Sequence, residues 1–209
     1  SAPGCDRVVG NLASRAPWDF DLHANSPTFT TSGNNNKAAT SWTNDTVPSP
    51  PQFMPVSTAR DYSFPWTNDW NNRQCQRAAT ETPGTVYDDS AAAVNLFVMH
   101  NRMHDFSYLL GFTEDNFNGQ RSNFGLTESF RENDPVLGDT QAGATLPPPG
   151  VYGVARNNAN MATPPDGRRP TMQMFLQHAP FTRYPQGDPF SPTNVGDEAD
   201  TVYHEYTHG

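Results

Sequence analysis

Over residues 92–110 the apolar side chains Ala92, Leu96, Met99, Met103, Phe106 and Leu110 recur at steps of four, three, four, three and four. That spacing belongs to one face of an α-helix. Asp89 or Ser90 stands where an N-cap is needed and Gly111 where a helix stops, so a long helix is predicted with this stripe turned to a core. A shorter helix is predicted at the end of the sequence. There Gly196 breaks the chain, Asp197, Glu198 and Asp200 suit a first turn, and Ala199, Val202, Tyr203 and Tyr206 supply an apolar face. Residues 151–163 and 171–177 read as strands, and Pro164-Pro165-Asp166-Gly167 between them has turn chemistry, so the two runs should pair as a hairpin.

Elsewhere turn formers dominate. Residues 1–86 carry Ser32-Gly33-Asn34-Asn35-Asn36, Pro48-Ser49-Pro50-Pro51 and Thr82-Pro83-Gly84, which predicts a loop-rich β segment with short strands, one of them around 59–64. Residues 116–149 read as mostly loops, closed by the rigid connector Leu146-Pro147-Pro148-Pro149-Gly150. No internal repeat is visible.

Composition narrows the class. Leu, Val and Phe together make 34 of 209 residues and Ile is absent, a thin supply for a packed domain. Against disorder stand 24 aromatic residues, each able to bury a large area. Trp18, Trp42, Trp66 and Trp70 are therefore read as core or surface-pinning residues rather than a sugar platform. A net charge of -9 excludes nucleic-acid binding, and no apolar run is long enough to span a membrane or basic enough to lie on one. Ser1-Ala2-Pro3-Gly4 reads as a mature N-terminus, and the even count of cysteines, Cys5 and Cys75, suits an exported protein; joined they would contribute about 4 kcal/mol on the chain-entropy model, and two buried free thiols are the alternative reading. Asn44-Asp45-Thr46 is the one glycosylation sequon.

The second helix carries the chemistry. His204-Glu205-Tyr206-Thr207-His208 is an H-E-x-x-H motif, and residues four apart on a helix share a face, so His204 and His208 can present two imidazole nitrogens to one Zn²⁺. Glu205, one residue along, is placed to take a proton from a zinc-bound water, the chemistry of a metallopeptidase. A rival pair, His100 and His104, lies on the long helix without a Glu after the first His, and a hydrogen-bonded structural role for His104 beside Asp105 is the reading preferred there.

The order of these parts resembles the N-terminal lobe of the thermolysin-like zinc peptidases, and more narrowly the fungalysin family of secreted metallopeptidases. The match rests on His204 to Gly209, on Arg156-Asn157-Asn158-Ala159-Asn160-Met161-Ala162-Thr163-Pro164-Pro165-Asp166-Gly167 with Met172-Gln173-Met174, and on Met103-His104-Asp105 through Leu110-Gly111-Phe112. It spans about residues 87–209. The resemblance implies an α+β fold: a loop-rich zincin lobe over 87–209 with a small mixed sheet, a long helix and the H-E-x-x-H helix, continuous with 1–86. The resemblance also implies a C-terminal helical lobe, lying outside this chain. It further implies that His204 and His208 bind zinc, that Glu205 is the general base and acid, and that Asn158 and Ala159, on an exposed edge strand, hold an extended substrate backbone.

The spacing of Asp200 before His204 suggests calcium by the same resemblance, although charge complementation of the helix N-terminus accounts for it as well. The expected partners are protein or peptide substrates, the missing C-terminal lobe that carries the third zinc ligand downstream of Gly209, and an inhibitory propeptide. The function implied is a secreted, extracellular zinc endopeptidase. Its alternative is an inactive truncated lobe serving as a non-catalytic peptide-binding or structural module.

Overall fold

The computed structural model describes residues 13, 16–43, 52–73, 75, 78, 80–85, 88–145, 156–178 and 193–209. Its N-terminal part holds strands β1 (Phe20–Asp21), β2 (Ser26–Pro27) and β3 (Asn36–Thr40) and a one-turn helix α1 (Asp69–Asn72). The long helix α2 (Asp89–Leu109) follows, then strands β4 (Val136–Thr140), β5 (Ala159–Ala162), β6 (Thr171–Met174), β7 (Leu176–Gln177) and β8 (Thr193–Asn194), and finally helix α3 (Ala199–Tyr206). The fold is α+β. Its main sheet runs β3-β4-β6-β5, with β3, β4 and β6 parallel and β5 antiparallel at the edge.

The central strand β4 lies in a stretch expected to be loop. Its sequence, Val-Leu-Gly-Asp-Thr, shows no alternation because both faces are covered, and all five residues are buried. The glycine is there for α2. A Cβ at Gly138 would lie 2.6 Å from His100 Cε1 and 2.9 Å from Leu96 Cδ2, and both of those side chains are fully buried with nowhere to retreat. Gly138→Ala is therefore expected to cost about 1–3 kcal/mol, the usual effect of overpacking, read as a lower urea midpoint at unchanged slope. An unchanged midpoint would show that α2 does not seat on this strand.

The predicted apolar stripe of α2 holds only for part of its length. Ala92, Leu96 and Met99 are buried and Met103 is half-buried, but Phe106 and Leu110 are 55% and 65% exposed. The reason is length. A helix of 21 residues extends about 30 Å, whereas strands of four or five residues span about 15 Å, so the last turns of α2 run past the sheet.

Two further expectations fail in the N-terminal part. No strand forms over 59–64, and the run Asn34-Asn35-Asn36, expected as a turn, is buried and opens β3. Tertiary partners override the local preference of asparagine for turns: Asn34 exchanges hydrogen bonds with the backbone of Ser122 at 2.9 and 3.2 Å, and Asn35 Nδ2 donates to Asn101 Oδ1 on α2 at 3.1 Å.

The tryptophans are mostly core. Trp42 and Trp70 meet edge to face at 5.8 Å, Trp18 is buried, and only Trp66 is half exposed. Cys75 packs half-buried beside Trp42 and Trp70; Cys5, the sequon at 44–46 and the connector at 146–150 lie outside the described residues.

The hairpin forms with Ala159 opposite Met174 and Ala162 opposite Thr171. Within the described residues its first strand begins at Ala159, after Asn157 with its left-handed φ of 54°; residues 151–155, where the strand is expected to start, lie outside the described residues. The turn closes by a bond from Arg168 N–H to the Pro165 carbonyl at 3.1 Å, with Gly167 at φ 78° as the third position of such a turn requires.

Candidate metal and peptide-binding site

Helix α3 presents three stripes. Ala199, Val202 and Tyr206, at i, i+3 and i+7, pack with Tyr203 on the cluster of Leu96, Phe97, Met99, Met172 and Met174, and the Tyr206 ring meets His100 edge to face at 5.6 Å. His204 and His208 form an exposed second stripe. The third, Glu198, Thr201 and Glu205, lines a cleft of about 590 Å³. The helix is held in register by the segment before it. Asn194 Nδ2 donates to Thr140 Oγ1 on β4 at 3.0 Å and the Gly196 carbonyl accepts from Asn95 Nδ2 on α2 at 3.2 Å, while at the other end Thr163 Oγ1 donates to the His208 carbonyl at 3.1 Å.

The two histidines converge: His204 Nε2 and His208 Nε2 stand 3.2 Å apart. A tetrahedral zinc with Zn–N bonds near 2.0–2.1 Å needs its two nitrogens about 3.3 Å apart, so the pair fits such an ion as it stands. Among the described residues no third His, Cys, Asp or Glu joins them, and none clusters with Asp200, which is exposed on the first turn of α3.

Glu205 is only 9% exposed, and no described residue hydrogen-bonds its carboxylate. A nearly buried carboxylate without a fixed partner keeps its lone pairs available for an incoming proton. Asn158 and Ala159 line the same cleft, opposite α3, with Gln177, Thr193 and Val195 completing the wall. The start of the edge strand is clamped there. Asn157 Oδ1 accepts from His178 N–H at 2.7 Å and Asn157 Nδ2 donates to the His178 carbonyl at 2.8 Å, which leaves the next side chain, Asn158, exposed.

The residue types of the H-E-x-x-H motif and the edge strand were legible in the sequence; the remaining walls were not all so. Glu198 and Thr201 follow from the i, i+3, i+7 spacing to Glu205, whereas Gln177, Thr193 and Val195 arrive through the β7–β8 pairing, which carries no local signal.

The rival pair is buried. His100 is wholly buried with Nε2 3.0 Å from Met172 Sδ, and burial drives its pKa down to about 3; His104 Nδ1 lies 3.3 Å from Asp105 Oδ1.

Asp197, on the turn before α3, has its pKa pushed up to about 7, first by burial and then by the negative Asp88, against a hydrogen bond from Asn194. A carboxyl with a folded pKa above its unfolded value near 4 binds its proton more tightly when folded. Its stabilising contribution is therefore full below about pH 4 and lost as the pH rises through about 7. Asp197→Asn should flatten that decline in urea midpoints measured from pH 4 to 8; an unaltered decline would contradict it.

Comparison with known proteins gives the family. Residues 6–209 match the model of the fungalysin metallopeptidase family (M36). The chain is 34% identical over 202 residues to an extracellular metalloproteinase MEP of Pyricularia oryzae, 31% over 201 residues to extracellular metalloproteinase 1 of Trichophyton rubrum, and 34% over 206 residues to extracellular metalloproteinase 9 of Uncinocarpus reesii. These alignments cover 92%, 92% and 94% of the chain but 26%, 26% and 25% of the relatives, so it spans about a quarter of their length. With the family model running over nearly its whole length, the chain belongs to the fungalysin metallopeptidases.

Proposed function

We propose that this protein is a secreted, extracellular zinc endopeptidase of thermolysin-like architecture, in which the chain supplies the zinc-binding helix and the substrate-binding edge. The observation that carries the reading is the placement of Glu205 in one cleft with Asn158 and Ala159, beside two imidazole nitrogens 3.2 Å apart. His204 and His208 would hold the zinc; when bound, the ion lowers the pKa of water towards neutrality and polarises a carbonyl.

The chain's own groups do the rest. An extended substrate adds to the free edge of β5, where the Ala159 carbonyl and the Asn158 amide bind its backbone. Because those contacts read main chain, many side chains are tolerated. Glu205 takes the proton of the water that attacks the scissile carbonyl and delivers it to the departing amine. A third zinc ligand, a Glu, and the groups that stabilise the oxyanion come from sequence beyond Gly209, which accords with relatives four times as long.

Digestion of an unfolded protein by the full-length protein, sequence beyond Gly209 included, followed by mass-spectrometric mapping of the cut sites, tests the reading. Internal cuts throughout the substrate are expected. Trimming confined to termini, or no cleavage, would overturn it.

A further inference from the structure

We propose that Glu198 makes the cleft selective for a positively charged side chain close to the scissile bond. This rests on the peptide-cleft reading above and adds to it a side-chain preference that backbone pairing alone does not supply. Glu198 occupies the N-cap position of α3, where a carboxylate would ordinarily accept a hydrogen bond from the first turn, yet its side chain makes no capping bond. It forms no ion pair with any described residue and is exposed. Its place is on the cleft wall with Thr201 and Glu205, facing Asn158 and Ala159, and among the described residues no Lys or Arg lines that cleft.

Glu205 lies beside the zinc that His204 and His208 would hold, which leaves Glu198 as the uncompensated charge among the described lining residues, the others being neutral. A Lys or Arg brought in by a substrate gains a partner there. An acidic side chain meets repulsion.

Distance says where on the substrate this charge is read. Glu198 lies seven residues before Glu205, about 10 Å along the helix axis. An extended peptide advances about 3.3 Å per residue, so the charge is read within about three residues of the bond that Glu205 serves. Because Glu198 is solvent-exposed, the preference is modest: about fivefold for Lys over Gln, falling as salt screens it.

The test uses the full chain carrying Glu205→Gln, so that bound peptides are not cut. Fluorescence anisotropy follows labelled neutral octapeptides with a single Lys, Gln or Glu moved position by position. At one position within three residues of the scissile bond, Lys should bind about fivefold tighter than Gln and Glu more weakly than Gln. Adding Glu198→Gln should erase the difference, Glu198→Lys should reverse it, and 1 M salt should suppress it. Equal binding of Lys and Gln peptides everywhere, a preference that survives Glu198→Gln, or no peptide binding at all would overturn the proposal. Hydrolysis by the wild-type chain separates the two readings: cleavage without charge preference sinks Glu198 alone, and charge-selective binding without cleavage sinks the peptidase reading alone.

Discussion

Replacing Glu205 by Gln is expected to lower kcat/KM for peptide hydrolysis by about 10²–10⁴-fold, the range for a positioned general base and acid. Gln keeps the shape and the hydrogen-bonding reach but cannot accept the proton. Zinc content should not change, since the ligands are His204 and His208 and not the carboxylate. Stability should stay level or rise slightly, because the substitution removes a charge that is only 9% exposed and that no described residue hydrogen-bonds. Kinetics with a quenched-fluorescence peptide, zinc analysis and a urea melt on one preparation separate these effects. A Gln variant within tenfold of wild type would remove Glu205 from the chemistry.

The second large effect concerns the histidines. Either His204→Ala or His208→Ala alone should abolish hydrolysis to the level of chelator-treated enzyme, and the double variant should be no worse than a single one. Two donors 3.2 Å apart act as a unit, so removing one leaves a lone imidazole that holds the ion weakly, and losses of this kind do not add. Both rings are exposed, so the urea midpoint measured on the metal-free proteins should move by no more than about 0.5 kcal/mol equivalent. His100→Ala should behave oppositely. That ring is fully buried between β4, β6 and Tyr206, and its loss should lower stability by roughly 2 kcal/mol or more while zinc binding in the folded fraction persists. Zinc content and urea midpoints of all four variants decide between the two pairs of histidines; zinc that follows His100 instead would reverse the assignment.

What the sequence made visible was local. Helix α2, helix α3 and the β5–β6 hairpin declare themselves through periodicity, caps and turn residues within windows of a few turns, and the converging imidazoles follow from a four-residue spacing. What it hid was set by distant partners. Strand β3, Asn-Lys-Ala-Ala-Thr, and strand β4, Val-Leu-Gly-Asp-Thr, lack the branched, alternating pattern of an isolated strand; they are strands because they pair in parallel with each other, and their small residues let α2 approach closely. Phe106 and Leu110 continue the apolar stripe yet are exposed, because helical periodicity reports a face but not the length of the sheet beneath it. Asn157 contributes by its backbone conformation and two bonds to His178, a clamp that no pattern of residue types announces. The cleft beside Glu205 combines the two kinds of information: one wall is a helical stripe, and the other is assembled by strand pairing.

The central claim, that this helix and edge strand form a zinc-dependent peptidase site, is tested most directly by following zinc content and hydrolysis of an unfolded protein on the same sample of the full-length protein, sequence beyond Gly209 included, while a chelator is added and then replaced by zinc. The account predicts near one zinc per chain, with activity and bound zinc lost together and restored together. Hydrolysis that continues after the zinc has gone would contradict it.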